Sequence, residues 1–242
     1  MTPPSEPRIE VHDDASALAV AVAGALVSRL EQAQSRGEQP HVALTGGTIA
    51  DSVHHELARL AAGDSGVDWS RVDFWWGDER FVSRDSSDRN AGAARAAFLD
   101  PVGADPSRVH EIDSTDDAAS VAEAAEAYGR ELRTHGSGAF EVVMLGVGPD
   151  GHVASLFPGQ PTLDVDDEIA APVADSPKPP PERVTLTLPA LNRTRATWLV
   201  VSGSEKAEAV AKALNGGNVP AARVAGTEET VWFLDREAAS AL

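Results

Sequence analysis

An aspartate and a histidine stand two residues apart in a glycine-rich run, Gly146-Val147-Gly148-Pro149-Asp150-Gly151-His152-Val153-Ala154-Ser155-Leu156-Phe157-Pro158-Gly159. Histidine is the side chain whose ordinary pKa best suits proton transfer near neutral pH. Closely spaced glycines let the backbone turn sharply and approach a ligand. Asp150 and His152 in such a turn could therefore move a proton at a bound molecule. A glycine turn carrying a solvated Asp and His fits the same residues, so the rest of the chain must decide.

Three further polar groups follow apolar runs. In Leu44-Thr45-Gly46-Gly47-Thr48, two glycines and a hydroxyl precede a helical stretch. Backbone N–H groups at the positive end of a helix make a usable phosphate cradle there. It is neither the P-loop nor the dinucleotide fingerprint, and Gly-Gly alone also fits a tight turn. Trp76-Gly77-Asp78-Glu79-Arg80-Phe81-Val82 sets three charges among large apolar neighbours. An arginine held beside an acid suits a phosphate or a developing oxyanion, although a solvated turn is the plain alternative. Asn90, on the same loop, could give a neutral hydrogen bond to a hydroxylated ligand. The last group pairs Arg183 with Ser202-Gly203-Ser204-Glu205-Lys206. Lys206 falls in the first turn of a helix, where the dipole disfavours a cation; a bound anion would offset that, and an exposed lysine is the alternative. Lysines are few, at 178, 206 and 212. His12, His41, His54, His55, His110 and His135 lack comparable flanks, and no His/Asp/Glu grouping has metal-ligand spacing, so no metal is expected.

The elements that must position these groups alternate. Helices are predicted over Asp14–Gln34, about Ile49–Ala62, Ala91–Leu99, Ala118–Arg133 and Glu205–Leu214. Strands are predicted over His41–Thr45, Arg71–Trp76, Phe140–Leu145, Trp198–Val201 and Thr230–Leu234, with a further apolar run at Val184–Leu188. Asp164–Pro181 reads as an acidic, proline-rich loop whose Pro177–Pro181 end is stiff. Helices between strands imply right-handed crossovers. The expected fold is α/β, a mainly parallel, Rossmann-like sheet with helices on both faces, and ligands bind outside the carboxyl ends of such strands. A single domain over residues 1–242 is expected, with residues 1–8 disordered.

Composition narrows the partners. With 42% hydrophobic residues, the 242-residue chain can bury a substantial core. The absence of cysteine excludes disulfides, thiolate metal sites and cysteine nucleophiles. Twenty basic and 38 acidic residues give a net charge of -18, which repels nucleic acid and anionic membranes and makes an anionic substrate depend on a locally basic pocket. The start, Met1–Pro7, lacks a basic segment followed by an apolar one, and Ala15–Leu30 is too short to span a bilayer. A cytoplasmic protein without nucleic-acid or membrane partners is expected, monomeric or at most a weak homodimer.

Taken together, Leu44–Thr48, Trp76–Val82 with Asn90, Gly146–Gly159, Pro179–Thr187 and Ser202–Ala207 resemble the 6-phosphogluconolactonases of the pentose phosphate pathway. Asp-Gly-His-x-Ala-Ser-Leu-Phe-Pro-Gly is the specific part of the match; the Gly-Gly loop is not. The resemblance implies a fold of the sugar-phosphate isomerase/CoA-transferase-like type, shared with glucosamine-6-phosphate deaminases. It implies hydrolysis of 6-phospho-D-glucono-1,5-lactone to 6-phosphogluconate without a cofactor. By that likeness His152 is the general base, Asp78 and Arg80 position water and substrate and stabilise the oxyanion, and Asp150 orients the histidine or contacts substrate. The phosphate would rest on Gly46, Gly47 and Thr48, with Arg183 and Lys206 as counter-charges. Val153, Gly-Gly-Thr-Ile-Ala and Ser83 depart from the family pattern, and none removes a group the chemistry requires. A deaminase would need a further acid after Asp-Gly-His, where this chain has Leu156-Phe157-Pro158, and usually has tyrosine where Arg80 stands. A non-catalytic sugar-phosphate sensor is the other alternative.

Overall fold

A computed structural model describes residues 6–63 and 65–242. In chain order the elements are β1 (Arg8–His12), α1 (Ala15–Ser35), β2 (His41–Leu44), α2 (Thr48–Ala62), β3 (Asp73–Trp76), β4 (Asp78–Arg80), α3 (Asn90–Ala94), α4 (Val121–His135), β5 (Phe140–Leu145), β6 (Ala170–Val173), β7 (Arg183–Leu186), α5 (Leu188–Leu191), β8 (Thr194–Val201), α6 (Ala207–Leu214) and β9 (Glu229–Asp235). Six strands form a wholly parallel sheet in the order β1-β9-β8-β5-β2-β3. Every residue of β2, β3 and β5 is buried, so helices and loops cover both faces of its centre. The mainly parallel α/β expectation holds.

Local chemistry sets the helix ends. The Asp14 carboxylate accepts from the Ala17 N–H at 2.8 Å and starts α1. Ser120 accepts from the Glu123 N–H while Glu123 accepts from the Ala119 N–H, so α4 begins at Val121 rather than Ala118. The helix expected over Ala91–Leu99 is divided into α3 and a π-helical turn, Arg95–Leu99. Ser204–Lys206 forms a 3-10 turn that leads into α6.

Three strands were absent from the sequence expectation. β1 is a short edge strand with Ile9 and Val11 exposed, so it carries no strong apolar signal. It also corrects the expectation that residues 1–8 are disordered, because Arg8 pairs with Val231 of β9; the part covering residues 1–5 lies outside the described residues. β4 and β6 flank β7 in a small antiparallel sheet, β4-β7-β6. β4 hides in the charged Asp-Glu-Arg segment and β6 inside the acidic, proline-rich loop. Among the described residues, no helix is long and apolar enough to cross a membrane, and no cluster of His, Asp and Glu could hold a metal.

His54, on α2, is buried with neither ring nitrogen hydrogen-bonded, its ring stacked 6.0 Å from that of Phe98. Burial pushes its pKa down to about 4 from the usual 6.5. Between those values the unfolded chain binds a proton that the folded chain refuses, so stability falls as pH drops through this window. The loss attributable to His54 is roughly 3 kcal/mol when complete. Urea unfolding at pH 7 and 4.5 should therefore show a smaller pH-dependent loss in His54→Leu than in the wild type; an equal loss in both would exclude His54 as its source.

Candidate active site

An open cleft of about 600 Å³ lies over the carboxyl ends of the central strands. It sits where the strand order reverses, since β2 has β3 on one side and β5 on the other. The segments leaving β2 and β5, Thr45–Thr48 and Gly146–Gly148, both line it, and the Gly146 N–H donates to Thr45 Oγ1 at 3.3 Å. Gly47 precedes α2 with φ of 98°, a conformation that favours glycine, and leaves the first N–H groups of the helix at the cleft wall.

His152 occupies one side of the cleft with its side chain 12% exposed. Its Nδ1 lies 2.5 Å from Asp150 Oδ1, and its ring packs 4.6 Å from that of Phe157. An ionised carboxylate only accepts, so Nδ1 carries the hydrogen and Nε2 keeps its lone pair. Burial pushes the imidazole below its usual pKa, outweighing the hydrogen bond and charge of Asp150, which pull it up. Burial also raises the Asp150 carboxyl, but its contact with His152 prevails and lowers it. His152 is thus a neutral imidazole at pH 7, with Nε2 available as an acceptor. Asp150, expected also among the substrate contacts, does not line the cleft and instead fixes the histidine.

Gly148 closes the turn, its N–H donating to the His152 carbonyl at 2.9 Å. A Cβ at position 148 would fall on the His152 ring. Gly148→Ala should displace the imidazole and lower turnover by about 10²-fold, the cost of roughly 1 Å of misplacement. Steady-state kinetics beside an unfolding curve would check this, and full activity would show that the ring tolerates the shift. Ala154, also in the cleft wall, holds φ of 49°, a strained value for a residue with a Cβ.

The charges of Asp78-Glu79-Arg80 are sorted by strand alternation. Asp78 and Arg80 face the cleft, while Glu79 points the other way and is buried. Glu79 accepts from the N–H groups of Arg80, Asn90 and Ala91 at 2.8–2.9 Å, which anchors the start of α3 against β4. Burial raises its pKa despite those donors. Asn90 is held in turn: its Nδ2 donates to the Asp78 carbonyl at 3.0 Å, and its Oδ1 accepts from Arg80 Nη1. Asp78 Oδ2 accepts from the buried Ser155 hydroxyl at 2.5 Å. Arg80 Nε is buried without a hydrogen-bond partner. Opposite Arg80 across the antiparallel pair stands Arg183. Like charges at facing positions repel, so an anion between them would offset the repulsion.

Arg183 lines the cleft, yet much of its guanidinium serves the backbone. Nε donates to the Pro180 carbonyl at 3.2 Å, and Nη2 to those of Lys178 and Pro179 at 3.0 and 3.3 Å. Its charge lies 5.9 Å from the Phe157 ring centre. Burial lowers its pKa, Asp78 working against burial and Arg80 with it. On the opposite wall, Asp235 accepts from the Ser202 hydroxyl at 2.5 Å and the Gly203 N–H at 3.2 Å, which fixes the turn bearing Lys206. Lys206 Nζ is 3.5 Å from Glu205 Oε1.

The structure therefore gathers Gly46, Gly47, Thr48, Asp78, Arg80, Asn90, His152, Arg183 and Lys206 around one cleft, with Asp150 behind His152. Sequence reasoning missed Lys178, which reaches the cleft from the proline-rich loop; its signal was the scarcity of lysine. It also missed Ser155, Asp235 and Tyr128, which act on site residues through long-range bonds. Tyr128, the single tyrosine, accepts from the Trp76 N–H and donates to the Trp76 carbonyl, fixing the strand end just before Asp78.

A family model described as glucosamine-6-phosphate isomerases/6-phosphogluconolactonase matches residues 13–232. The 6-phosphogluconolactonase of Streptomyces coelicolor is 43% identical, the alignment covering 98% of this chain and 95% of that protein. The 6-phosphogluconolactonase of Mycobacterium tuberculosis is 39% identical, with 97% and 98% covered. The crystal structure of the Thermotoga maritima 6-phosphogluconolactonase superposes with a TM-score of 0.84 at 29% identity, covering 95% of this chain and 99% of that one. A monomeric glucosamine-6-phosphate deaminase superposes with a TM-score of 0.82 at 19% identity, over 97% and 100%, a likeness of fold alone.

Proposed function

Because the chain belongs to the glucosamine-6-phosphate isomerase/6-phosphogluconolactonase family, we propose that its cleft hydrolyses 6-phospho-D-glucono-1,5-lactone to 6-phospho-D-gluconate, a step of the oxidative pentose phosphate pathway, with His152 as general base. The activity is that of its lactonase relatives; the residue roles are argued from the cleft. One observation carries them: His152 is held through Nδ1 by Asp150 at 2.5 Å, which leaves a neutral Nε2 in a wall of cations.

In the reaction, Nε2 takes a proton from water as the water oxygen bonds to C1, and the carbonyl electron pair moves onto O1. Arg80 lines the cleft and its charge faces that developing negative charge, and Asp78 orients the water. When the pair returns from O1, the bond from C1 to the ring oxygen breaks, and that oxygen receives the proton from His152. The new carboxyl group loses its proton to solvent. The phosphate rests on Gly46, Gly47 and Thr48 at the start of α2, with Lys206 and the free edge of Arg183 as counter-charges. Asn90 supports Arg80 and has one amide hydrogen left for a sugar hydroxyl.

The sequence separates hydrolysis from deamination, since Leu156-Phe157-Pro158 supplies no acid for ring opening. We further propose that the working unit is a monomer acting as one domain on a dissolved cytoplasmic substrate. A coupled assay tests the reading. Lactone loss well above the spontaneous rate is expected, with no ammonia released from glucosamine 6-phosphate. Ammonia release without lactone hydrolysis would overturn it.

A further inference from the structure

We propose that Lys178, carried over the cleft by the proline-rich strap, binds the C1 oxygens of the substrate through the reaction and pairs with the carboxylate of the product. This rests on the lactonase reading and assigns it a further catalytic residue. The reaction converts a neutral ester carbon into a carboxylate, so its product carries a second anionic group that its substrate lacks. The phosphate already has the start of α2 and Lys206. A cation free to meet the new charge must lie on the His152 side of the cleft.

Lys178 meets that requirement by construction. Ser176 to Pro181 closes on itself, the Ser176 N–H donating to the Pro181 carbonyl at 3.0 Å, and the Lys178 N–H donates to the Ser176 hydroxyl at 3.2 Å. Arg183 clamps the same strap through the carbonyls of Lys178, Pro179 and Pro180. Phe157 packs against the His152 ring on one hand and the Arg183 charge on the other. The strap is thereby tied to the catalytic histidine through two side chains. Lys178 lines the cleft, and no carboxylate among the described residues is in salt-bridge contact with it. Burial and the neighbouring Lys206 lower its pKa, Asp150 raises it, and Lys178 is the cation that lowers His152. Its charge thus reaches both Asp150 and His152. An ammonium there would accept growing charge on O1 and then hold one oxygen of the carboxylate.

The test compares two ligands that share the phosphate and differ at C1: 6-phosphogluconate, with a carboxylate, and glucitol 6-phosphate, with a hydroxymethyl group. Calorimetry on the full chain gives both affinities for the wild type, Lys178→Gln and Lys178→Arg. Lys178→Gln should weaken 6-phosphogluconate by about tenfold to hundredfold, the range for one hydrogen bond to a charged group. Glucitol 6-phosphate should change by less than about threefold, the remainder if C1 alone is contacted. Lys178→Arg should restore most of the difference, and kcat of Lys178→Gln should fall with little change in KM. Equal weakening of both ligands would place Lys178 on the phosphate and overturn the proposal, as would no change in either. Wild-type turnover in the same preparation tests the lactonase reading separately.

Discussion

His152→Ala is expected to lower kcat for lactone hydrolysis by on the order of 10²–10⁴, the usual contribution of a positioned general base, while 6-phosphogluconate still binds. The two effects separate because the groups proposed to hold the phosphate lie elsewhere, at the start of α2 and on the turn that Asp235 fixes. Loss of the imidazole removes the acceptor for the water proton and leaves those contacts in place. The side chain is mostly buried against Phe157, so an unfolding curve should accompany the kinetics. The lactone opens spontaneously, and only the rate above background counts. Turnover equal to the wild type would remove His152 from the mechanism.

The sequence made the parallel sheet legible because its central strands are fully buried. Phe140–Leu145 is an unbroken strand because both of its faces meet apolar side chains. The small antiparallel sheet was illegible for the converse reason. β4 is three charged residues, and its alternation is set by where it docks rather than by hydrophobicity. Seen as a strand, Asp-Glu-Arg ceases to be a charged turn: two residues face the cleft and the third anchors α3. The residues of the glycine run could be found because their chemistry is local, as Asp150 and His152 bond across two positions. Ser155 to Asp78 spans 77 positions and Tyr128 to Trp76 spans 52. No local pattern reports such bonds.

The charge distribution makes the same point in electrostatic terms. A net charge of -18 repels a sugar phosphate at long range. Yet Arg80, Lys178, Arg183 and Lys206 converge on one cleft, and the facing pair Arg80 and Arg183 is unfavourable without an anion. Distant carboxylates are screened over about 10 Å at 0.1 M salt, and within the cleft these four cations outnumber the carboxylates of Asp78 and Glu205. The anion binding proposed for the cleft would therefore rest on a few placed cations rather than on the overall charge.

Asp150→Asn is expected to reduce the plateau of kcat by on the order of 10²–10⁴, comparable to removing the histidine itself, and to move its acid limb to lower pH. In the wild type, burial already holds the His152 pKa below 6.5, so activity should rise with pH through a limb on the acid side of an ordinary histidine. The Asp150 carboxylate works against that burial, since its hydrogen bond and charge favour the imidazolium. Its removal lowers the pKa further, which by itself would leave more neutral imidazole at pH 7. Availability of the neutral form is therefore not what the variant loses. An asparagine amide can donate to Nδ1, which places the ring hydrogen on Nε2 and turns the base in the cleft into a donor. The charge that stabilises the imidazolium after proton transfer disappears as well. The pH dependence of kcat separates this from a structural role: loss of positioning alone would lower the plateau and leave the limb where it was. A plateau close to that of the wild type would mean that the 2.5 Å contact does not select the tautomer.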